Sequence, residues 1–365
     1  MKINLDNIDR TQFMVHPHEI GGEVCYLIQP QHIGCKFTQE NKIFRSSLWN
    51  TNGELISASL PKFVNFGENP ENFPVVDSLD NSQLVEKLDG SLLCVSRYKD
   101  QNIIRTRGTV DATKLDSGAE IAILQNKYPL AFSFPSEDGR ETWTENYSFI
   151  YEWTGKQKIV INYGEDPNIH LIGIVNHKDY SLWRQEDLDW KAKQIGVKRP
   201  KYYNYGSISE MIESVKKFEG IEGVCLYANG GQSIFKLKAD KYLLLHRLKS
   251  ELSSFEKVVD LWLELKKPSY QEYYDYICNQ FDFEIAENCA ANIKKLCEIY
   301  VEFQKTIAEI EKSLDFWRGC SRKEAAMQIL AKYKENGFSG IAFQLLDGRG
   351  VYDTSIKSQL MRGKS

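Results

Sequence analysis

The segment Glu86-Lys87-Leu88-Asp89-Gly90-Ser91 carries most of the information about the fold of this chain. It brings a lysine to the start of a glycine turn, places an acid two residues later and leads into an apolar strand. A lysine amine attacks only when it is neutral, whereas its ordinary pKa is near 10.4, so a reactive lysine needs a special environment. The pattern is short, and a surface turn with a solvated lysine would look the same.

Strand signals follow this segment. Residues 91–98 and 103–109 are apolar runs separated by the polar residues 99–102, which predicts a hairpin. Ser207 to Glu210 form a capping box, so a helix is expected over 211–218. Further strands are expected at 147–153, 158–163, 170–175, 223–227 and 233–237. These elements predict a mixed domain with antiparallel sheets.

The pattern changes to helical spacing near residue 246. Apolar residues then recur every three or four positions, at Leu252, Phe255, Val258, Val259 and Trp262. Residues 286–316 are expected to form one long helix or two joined ones, and a second capping box begins at Ser321. We therefore predict the α+β class, with a first domain over residues 1–246 and an all-α domain over residues 247–365.

The composition is typical of a soluble globular protein. Of the 365 residues, 42% are hydrophobic and 26% charged, and the length suggests two or three domains. No run of about 18 apolar residues occurs, so no membrane partner is expected. The N-terminus lacks the apolar stretch of a signal peptide, and none of the eight cysteines forms a CxxC pair. We expect free thiols in a reducing cytoplasm.

The charge balance excludes one class of function. Lysine and arginine number 46 against 50 aspartates and glutamates, which gives a net charge of −4. This argues against a protein that coats nucleic acid through its overall charge, whereas an enzyme with a local basic cleft stays open. Residues 247–365 contain 18 basic and 18 acidic side chains, so the charge of the helical domain indicates no nucleic-acid surface.

Charged side chains in the strands suggest an anion site. Lys236 and Lys238 alternate along one strand and therefore share a face, where like charges repel unless an anion lies between them. Glu222 begins the preceding strand, and Glu152 is a lone carboxylate between Tyr151 and Trp153. Glu152 points either outward to water or into a cleft that holds a ligand. Cations also occur upstream, at Arg45 and Lys62.

Together these motifs resemble the covalent nucleotidyltransferases, the superfamily of ATP-dependent DNA ligases, RNA ligases and mRNA capping enzymes. The segment 86–91 resembles the nucleophile motif, and 151–153 resembles the carboxylate motif. Residues 222–224 resemble the Glu-Gly motif, and 236–238 the terminal Lys-x-Lys motif. The resemblance covers roughly residues 40–246 and implies a nucleotidyltransferase (ATP-grasp-like ligase) domain.

Within this superfamily the chain is most similar to RNA ligases of the phage T4 RNA ligase 1 type. The segment 60–70 (LPKFVNFGENP), residues 158–163 after Glu152 and residues 240–242 after the lysine pair carry this likeness. A helical C-terminal domain is also a feature of that group, whereas DNA ligases and capping enzymes continue into an OB barrel. The chain departs from the group at Arg107, where lysine is usual, at Val64, and along 170–176, which lacks an aromatic for the nucleobase.

The resemblance implies that Lys87 takes AMP from ATP with the help of Mg²⁺ or Mn²⁺. The residues expected to bind ATP are Arg45, Lys62, Glu86, Asp89, Gly90, Arg107, Glu152, Glu222, Lys236 and Lys238. Glu152 and Glu222 are the expected metal anchors, and Asp89 is expected to hold either the ribose or the local loop. Burial and nearby cations should lower the pKa of Lys87. Phe44 and Phe63 are expected to be core residues.

The implied partner is RNA with 3′-hydroxyl and 5′-phosphate ends, and the resemblance suggests repair of nicked tRNA in the host cytoplasm during phage infection. A monomer is favoured. An RNA-contacting surface is predicted where cations precede three tyrosines, at Lys191, Lys193, Lys198, Arg199 and Lys201. The alternative for that stretch is a solvated helix end and loop. The alternatives for the protein are a DNA ligase, a capping guanylyltransferase or a non-catalytic RNA-binding relative.

Overall fold

The computed structural model describes residues 1–32, 34–68, 73–115, 117–133, 146–155, 160–252, 254–280 and 283–363. It divides into two compact units, Met1–Leu243 and Leu244–Ser365. The division falls inside the helix Asp240–Leu252, which also contains the expected boundary at residue 246. Within the described residues, no helix combines the length and apolar character needed to cross a membrane.

The first unit combines short strands with few helices. Its strands are β1 (Phe13–Ile20), β2 (Glu23–Pro30), β3 (Ser47–Asn50), β4 (Leu55–Ala58), β5 (Val64–Asn65), β6 (Gln83–Lys87), β7 (Ser91–Tyr98), β8 (Gln101–Arg105), β9 (Tyr147–Thr154), β10 (Asn168–Asn176), β11 (Tyr202–Tyr203), β12 (Gly223–Ala228) and β13 (Ser233–Lys238). Its helices are α1 (Gly118–Lys127), α2 (Pro129–Phe132), α3 (Gln185–Ile195) and α4 (Ile208–Lys216).

The strands form three sheets, which are antiparallel apart from one pair. Their strand orders are β1-β2-β3-β4, β10-β9-β7-β8 and β11-β6-β12-β13-β5. Among the strand pairs of the described residues, β13 and β5 alone run parallel. In the third sheet Gly223 lies opposite Lys87 on one side and opposite Lys238 on the other. This register brings the two lysines together across a single glycine.

The β7–β8 hairpin is tighter than the sequence predicts. Lys99 and Asp100 alone form its turn, both with positive φ (46° and 59°), so β8 begins at Gln101 and ends at Arg105. Two-residue turns of this kind match the twist of the flanking strands. The polar residues Gln101 and Asn102, expected in the turn, pair with Tyr98 and Arg97 instead.

One predicted strand is not formed where the structure describes it. Residues 158 and 159 of the expected strand 158–163 lie outside the described residues, and 160–163 form no strand. The reason is a contact with a residue distant in sequence: the backbone N–H groups of Val160 and Ile161 donate to the carboxylate of Asp89, not to a neighbouring strand.

The second unit is helical in its described part, as the apolar spacing predicts. Its helices are α5 (Asp240–Leu252, shared with the end of the first unit), α6 (Phe255–Glu264), α7 (Tyr270–Gln280), α8 (Phe283–Gly319), α9 (Arg322–Tyr333), α10 (Ser339–Leu346) and α11 (Asp353–Arg362). The predicted stripe of Phe255, Val258, Val259 and Trp262 is buried in its core. Ser321 and Glu324 cap α9 reciprocally. The α+β class is thereby confirmed.

Candidate active site

A cavity of about 480 Å³ opens beside Lys87 in the first unit. We call this cavity the Lys87 pocket. Strands β6, β7, β9 and β12 contribute to its lining, together with the residues after β8 and parts of the loop before β5. Of the predicted site residues, the pocket is lined by Arg45, Glu86, Lys87, Gly90, Arg107 and Glu152.

Glu222 is the centre of a buried ion-pair group at the end of β6. Lys87 Nζ donates to Glu222 Oε2 over 2.8 Å, and Lys238 Nζ lies 2.8 Å from Glu222 Oε1. The Glu222 side chain is only 3% exposed, whereas the two lysines are about one fifth exposed. A Cβ at Gly223 would lie 2.1 Å from the Leu237 carbonyl oxygen, so glycine is what allows the strands to approach here.

The charge state of Lys87 differs from the sequence-based expectation. Burial is the largest single effect on the pKa of Lys87 and lowers it, but the negative groups around the amine, with Glu222 foremost, together outweigh burial, and the net shift is upward. The expectation that burial and neighbouring cations lower this pKa is therefore wrong. Lys87 is held as an ammonium group and must lose a proton before it can act as a nucleophile.

Four cations lie in and around the pocket: Arg45, Lys62, Arg107 and Lys236. Among the described residues, none of the four forms an ion pair with a carboxylate. We call them the cation cluster. Burial, followed by the charge of Lys62, lowers the pKa of Lys236 to about 8. Burial likewise lowers the pKa of Arg45, with Arg107 as the largest charge effect. An anion bound among these groups would relieve their mutual repulsion.

Phe63 lies within cation–π distance of two members of the cation cluster. Its ring centroid lies 4.8 Å from Arg45 Cζ and 5.8 Å from Lys236 Nζ. Phe63 also packs against the hydrophobic core and lines the pocket, so it is a core residue with one face at the site. Phe44 contacts Phe13 and Trp49 edge-on within the same core, as expected.

Glu152 lies in the pocket, where its Oε1 accepts a hydrogen bond from the backbone N–H of Gly90 over 2.9 Å. Burial raises the pKa of this carboxyl group to about 7, and the charge of Lys87 opposes the shift. A Cβ at Gly90 would lie 2.2 Å from the Trp153 carbonyl oxygen, so the turn requires glycine. Glu152 is therefore tied to the turn that carries Lys87.

Asp89 organises the loop around Lys87. Its Oδ2 accepts from the backbone N–H groups of Val160 and Ile161 at 2.6 and 2.8 Å, and its Oδ1 accepts from the Tyr242 hydroxyl at 2.7 Å. Its own N–H donates to the Tyr163 hydroxyl over 2.9 Å. Of the two roles considered from the sequence, these contacts favour the local loop. The positioning roles of Tyr163 and Tyr242 were missed, because sequence separation gives no sign of such contacts.

Glu86 lines the Lys87 pocket, but its side chain leaves β6 on the face opposite to that of Lys87. Alternation along β6 turns it to the face that also carries Leu84, and its backbone N–H donates to the Lys201 carbonyl oxygen over 2.7 Å. Burial raises the pKa of its carboxyl group, against the effect of Lys201. Glu86 thus joins β6 to the segment beside β11.

Two of the five cations predicted to contact RNA are engaged within the fold. Lys191 is 5% exposed and donates to Gln194, while Arg199 binds Asp189, the Leu171 carbonyl oxygen and Gln185. A role as free phosphate contacts does not fit these two side chains. Lys193, Lys198 and Lys201 are exposed.

Two exposed aromatics lie in this same stretch. Trp190 is 52% exposed and Tyr202 is 41% exposed. Tyr202 belongs to the predicted basic and aromatic stretch, whereas Trp190 lies among acidic residues of α3, where the sequence gives no sign of an RNA contact.

The site offers few ligands for a metal. The described residues contain no group of three or more histidine, cysteine, aspartate or glutamate side chains arranged to hold an ion. Glu152 and Glu222 supply oxygen donors of the kind that Mg²⁺ and Mn²⁺ use, and these ions complete their coordination with water and phosphate. The residues present therefore fit a metal that arrives with a nucleotide, rather than one held by the protein alone.

Comparison with known proteins agrees with the motifs. The family model described as RNA ligase, of the T4 RNA ligase 1 type, matches residues 37–244. A protein of Autographa californica nuclear polyhedrosis virus, whose name joins polynucleotide kinase and RNA ligase, is 25% identical over 223 residues. That match covers 57% of this chain but only 31% of the viral protein.

Solved structures resemble the chain more loosely. An archaeal ATP-dependent RNA ligase has a TM-score of 0.47 at 14% identity, over 93% of both chains. A protein of Aquifex aeolicus described as an ATP-dependent DNA ligase has a TM-score of 0.46 at 15% identity, over 93% of this chain and 96% of its own. These scores carry no argument about function. The family match, which spans more than half of the sequence, shows that the chain belongs to the RNA ligases of the T4 RNA ligase 1 type.

Proposed function

We propose that the protein is an ATP-dependent RNA ligase that joins a 3′-hydroxyl to a 5′-phosphate through an AMP adduct on Lys87. The observation that carries this proposal is the arrangement of one pocket. Lys87 lies at its wall and pairs with Glu222, which also pairs with Lys238, and the cation cluster lies nearby. A nucleophile beside uncompensated cations suits attack on a triphosphate.

In the first step the Lys87 ammonium releases a proton to water and the neutral amine attacks the α-phosphorus of ATP, with a second amine proton passing to water as the adduct forms. A phosphorus–nitrogen bond forms, the bond to the bridging oxygen breaks, and pyrophosphate leaves with the electron pair. Charge on the phosphate oxygens is neutralised by Lys238 and the cation cluster, which act through position and electrostatics.

Two further transfers complete the reaction. An oxygen of the RNA 5′-phosphate attacks the phosphorus of the adduct, so AMP moves to the RNA and Lys87 recovers its amine. The 3′-hydroxyl then loses its proton and attacks the 5′-phosphorus, and AMP leaves. Glu152 and Glu222 are the residues that would hold Mg²⁺ or Mn²⁺, which would supply positive charge to the phosphates.

The biological setting is part of the same proposal. A ligase that consumes 5′-phosphate ends suits repair of broken RNA, including nicked tRNA in an infected cell. The viral relative supports this, because its name joins the ligase to a kinase, the class of enzyme that makes 5′-phosphates. The chain spans about a third of that relative, so the relative's kinase is not carried over.

We also propose a division of labour between the two predicted domains. Residues 1–246 would carry out the nucleotide chemistry, since every residue that lines the Lys87 pocket lies before position 246. Residues 247–365 would then govern the choice of RNA.

Label transfer tests the proposal. The full chain is incubated with α-labelled ATP or α-labelled GTP and Mg²⁺, and the products are separated on a denaturing gel. We expect labelled protein with ATP only, release of the label on addition of 5′-phosphorylated RNA, and sealing of that RNA. Labelling by GTP would instead support the capping alternative, and sealing of nicked DNA in preference to RNA would support a DNA ligase. Absence of labelling with both nucleotides would refute the covalent mechanism.

A further inference from the structure

Arg105, the last residue of β8, is a fully buried arginine, with 0% of its surface exposed. Within the described residues no aspartate or glutamate forms an ion pair with it. A guanidinium removed from water without a counter-charge is costly unless every donor is satisfied.

All five N–H groups of Arg105 find neutral acceptors. Its Nε donates to Ser57 Oγ at 2.8 Å, and one Nη donates to Ser46 Oγ at 2.7 Å and to the Thr106 carbonyl oxygen at 3.1 Å. The other Nη donates to the carbonyl oxygens of Ser46 and Ser57, both at 3.2 Å. A lysine could not reproduce this fork, because it has three donors at a single point.

The acceptors are next to the cations of the Lys87 pocket. Ser46 follows Arg45 directly, and Thr106 precedes Arg107 directly. Ser46 Oγ also donates to the Arg107 carbonyl oxygen over 2.8 Å, so one network fixes the backbone beside both cations. Arg45 ends the short 3₁₀-helix Lys42–Arg45 just before β3, and Arg107 follows the end of β8 by two residues. Because β3 and β8 belong to different sheets, the buried guanidinium joins the backbone segments that carry the two cations.

We propose that Arg105 is a positioning residue, which holds Arg45 and Arg107 where they meet the triphosphate of ATP. This inference rests on the proposed function. Arg105 itself lies outside the set of residues that line the pocket, so it acts through its neighbours. Its uncompensated charge adds to the positive potential of the site, which favours the anion further.

The test compares ATP with ligands that lack the triphosphate. Arg105→Lys keeps the charge and loses the fork, whereas Arg105→Met loses both. For each variant, confirmed as folded by circular dichroism, we expect the KM for ATP in self-adenylylation to rise by about tenfold or more. Binding of AMP and sealing of pre-adenylylated RNA should change by no more than about threefold, because neither needs the triphosphate contacts.

Two further variants keep the inference testable. Arg97→Met is the matched control, since Arg97 belongs to the same hairpin but pairs with the exposed Asp100. It should leave the KM for ATP unchanged. If both Arg105 variants fail to fold, Ser46→Ala removes one acceptor and the link to the Arg107 backbone, and should raise the KM for ATP by about threefold.

Each result has a distinct meaning. An unchanged KM for ATP in folded Arg105→Lys and Arg105→Met, or in Ser46→Ala if only that variant folds, would overturn the inference while the proposed function stands. Equal losses for ATP, AMP and pre-adenylylated RNA would show a purely structural arginine and would also overturn it. A wild-type chain that forms no adduct with ATP would overturn the proposed function itself.

Discussion

The two sides of the Lys87 pocket handle positive charge differently. On one side the buried carboxylate of Glu222 compensates Lys87 and Lys238 at 2.8 Å each. On the other side the cation cluster has no carboxylate partner among the described ion pairs, and burial lowers the pKa values of Arg45, Lys62 and Lys236. The compensated side keeps Lys87 protonated, whereas on the uncompensated side a bound anion would relieve the repulsion between the cations.

The comparison suggests how the site avoids reacting before substrate arrives. A neutral lysine in an open pocket would be exposed to any electrophile, and the contact with Glu222 prevents this. The uncompensated side stores repulsion that a triphosphate releases on binding. Substitutions on the two sides should therefore have different signatures.

The largest effect is expected at the nucleophile itself. Lys87→Ala removes the amine, and Lys87→Arg replaces it with a group that stays protonated at working pH. Both should abolish adduct formation, which intact-protein mass spectrometry after incubation with ATP would detect. A full adduct on the Lys87→Ala protein would show that another residue is the nucleophile.

A second large effect is expected when both sides lose a lysine. The double variant Lys236→Ala, Lys238→Ala should adenylylate about 10²-fold or more slowly, because both phosphate-facing charges of β13 are lost. Of the two single variants, Lys238→Ala leaves Glu222 with Lys87 as its remaining lysine partner, so it should also raise the pH at which adenylylation reaches half its maximum. A normal adenylylation rate in the double variant would show that the triphosphate binds away from Lys236 and Lys238.

How much of this could be predicted varied with the type of feature. The strands β7, β9, β12 and β13 were predicted as short apolar runs between polar segments. All six residues of β12 are buried, and a fully buried strand leaves such a run in the sequence. The two-residue turn at Lys99 was missed, since neither Lys99 nor Asp100 is a glycine and their positive φ angles leave no signal. The loop at 160–163 was mistaken for a strand because Asp89, about 70 positions away, binds its amides.

In the site, too, contacts between residues distant in sequence could not be predicted. Motif order singled out Lys87, Glu152, Glu222 and the lysine pair, whose spacing follows the strands that carry them, and their site roles stay predictions. The direction of the Lys87 pKa shift was wrong, because it depends on a 2.8 Å contact with Glu222 that no local pattern reveals. Arg105 was not singled out at all, since a buried arginine with neutral partners looks like any charged residue at a strand end.

A moderate effect of pH is expected on the uncompensated side. With a pKa of about 8, Lys236 is charged below that pH and becomes neutral above it. The contribution of this cation to ATP capture is therefore lost as the pH rises through 8, and kcat/KM for ATP should carry a falling limb there. Lys236→Arg, which stays charged, should remove that limb. Its persistence in the arginine variant would assign it to another group.

A smaller effect on activity is expected in the loop that supports the pocket, at the Tyr242 hydroxyl. Tyr242→Phe removes the hydroxyl that donates to Asp89 over 2.7 Å, and should lower the free energy of unfolding by about 1 kcal/mol. The Lys87 amine is unchanged in this variant, so the maximal adenylylation rate at saturating ATP should fall by less than about tenfold. Urea unfolding followed by fluorescence measures the first quantity, and label transfer measures the second. A loss of activity as large as that of Lys87→Ala would place the Tyr242 hydroxyl in the chemistry itself.

The smallest effect is expected at the exposed cations outside the pocket. Lys198→Ala with Lys201→Ala should raise the KM for RNA by about threefold and reduce the salt dependence of binding, because two phosphate contacts are lost. Adenylylation without RNA should stay normal. Lys191→Met is the matched comparison, because Lys191 is buried and donates to Gln194, so its loss should affect stability and leave the salt slope unchanged. If Lys191→Met lowered the salt slope as much as the double variant, the distinction drawn here between structural and exposed lysines would be wrong.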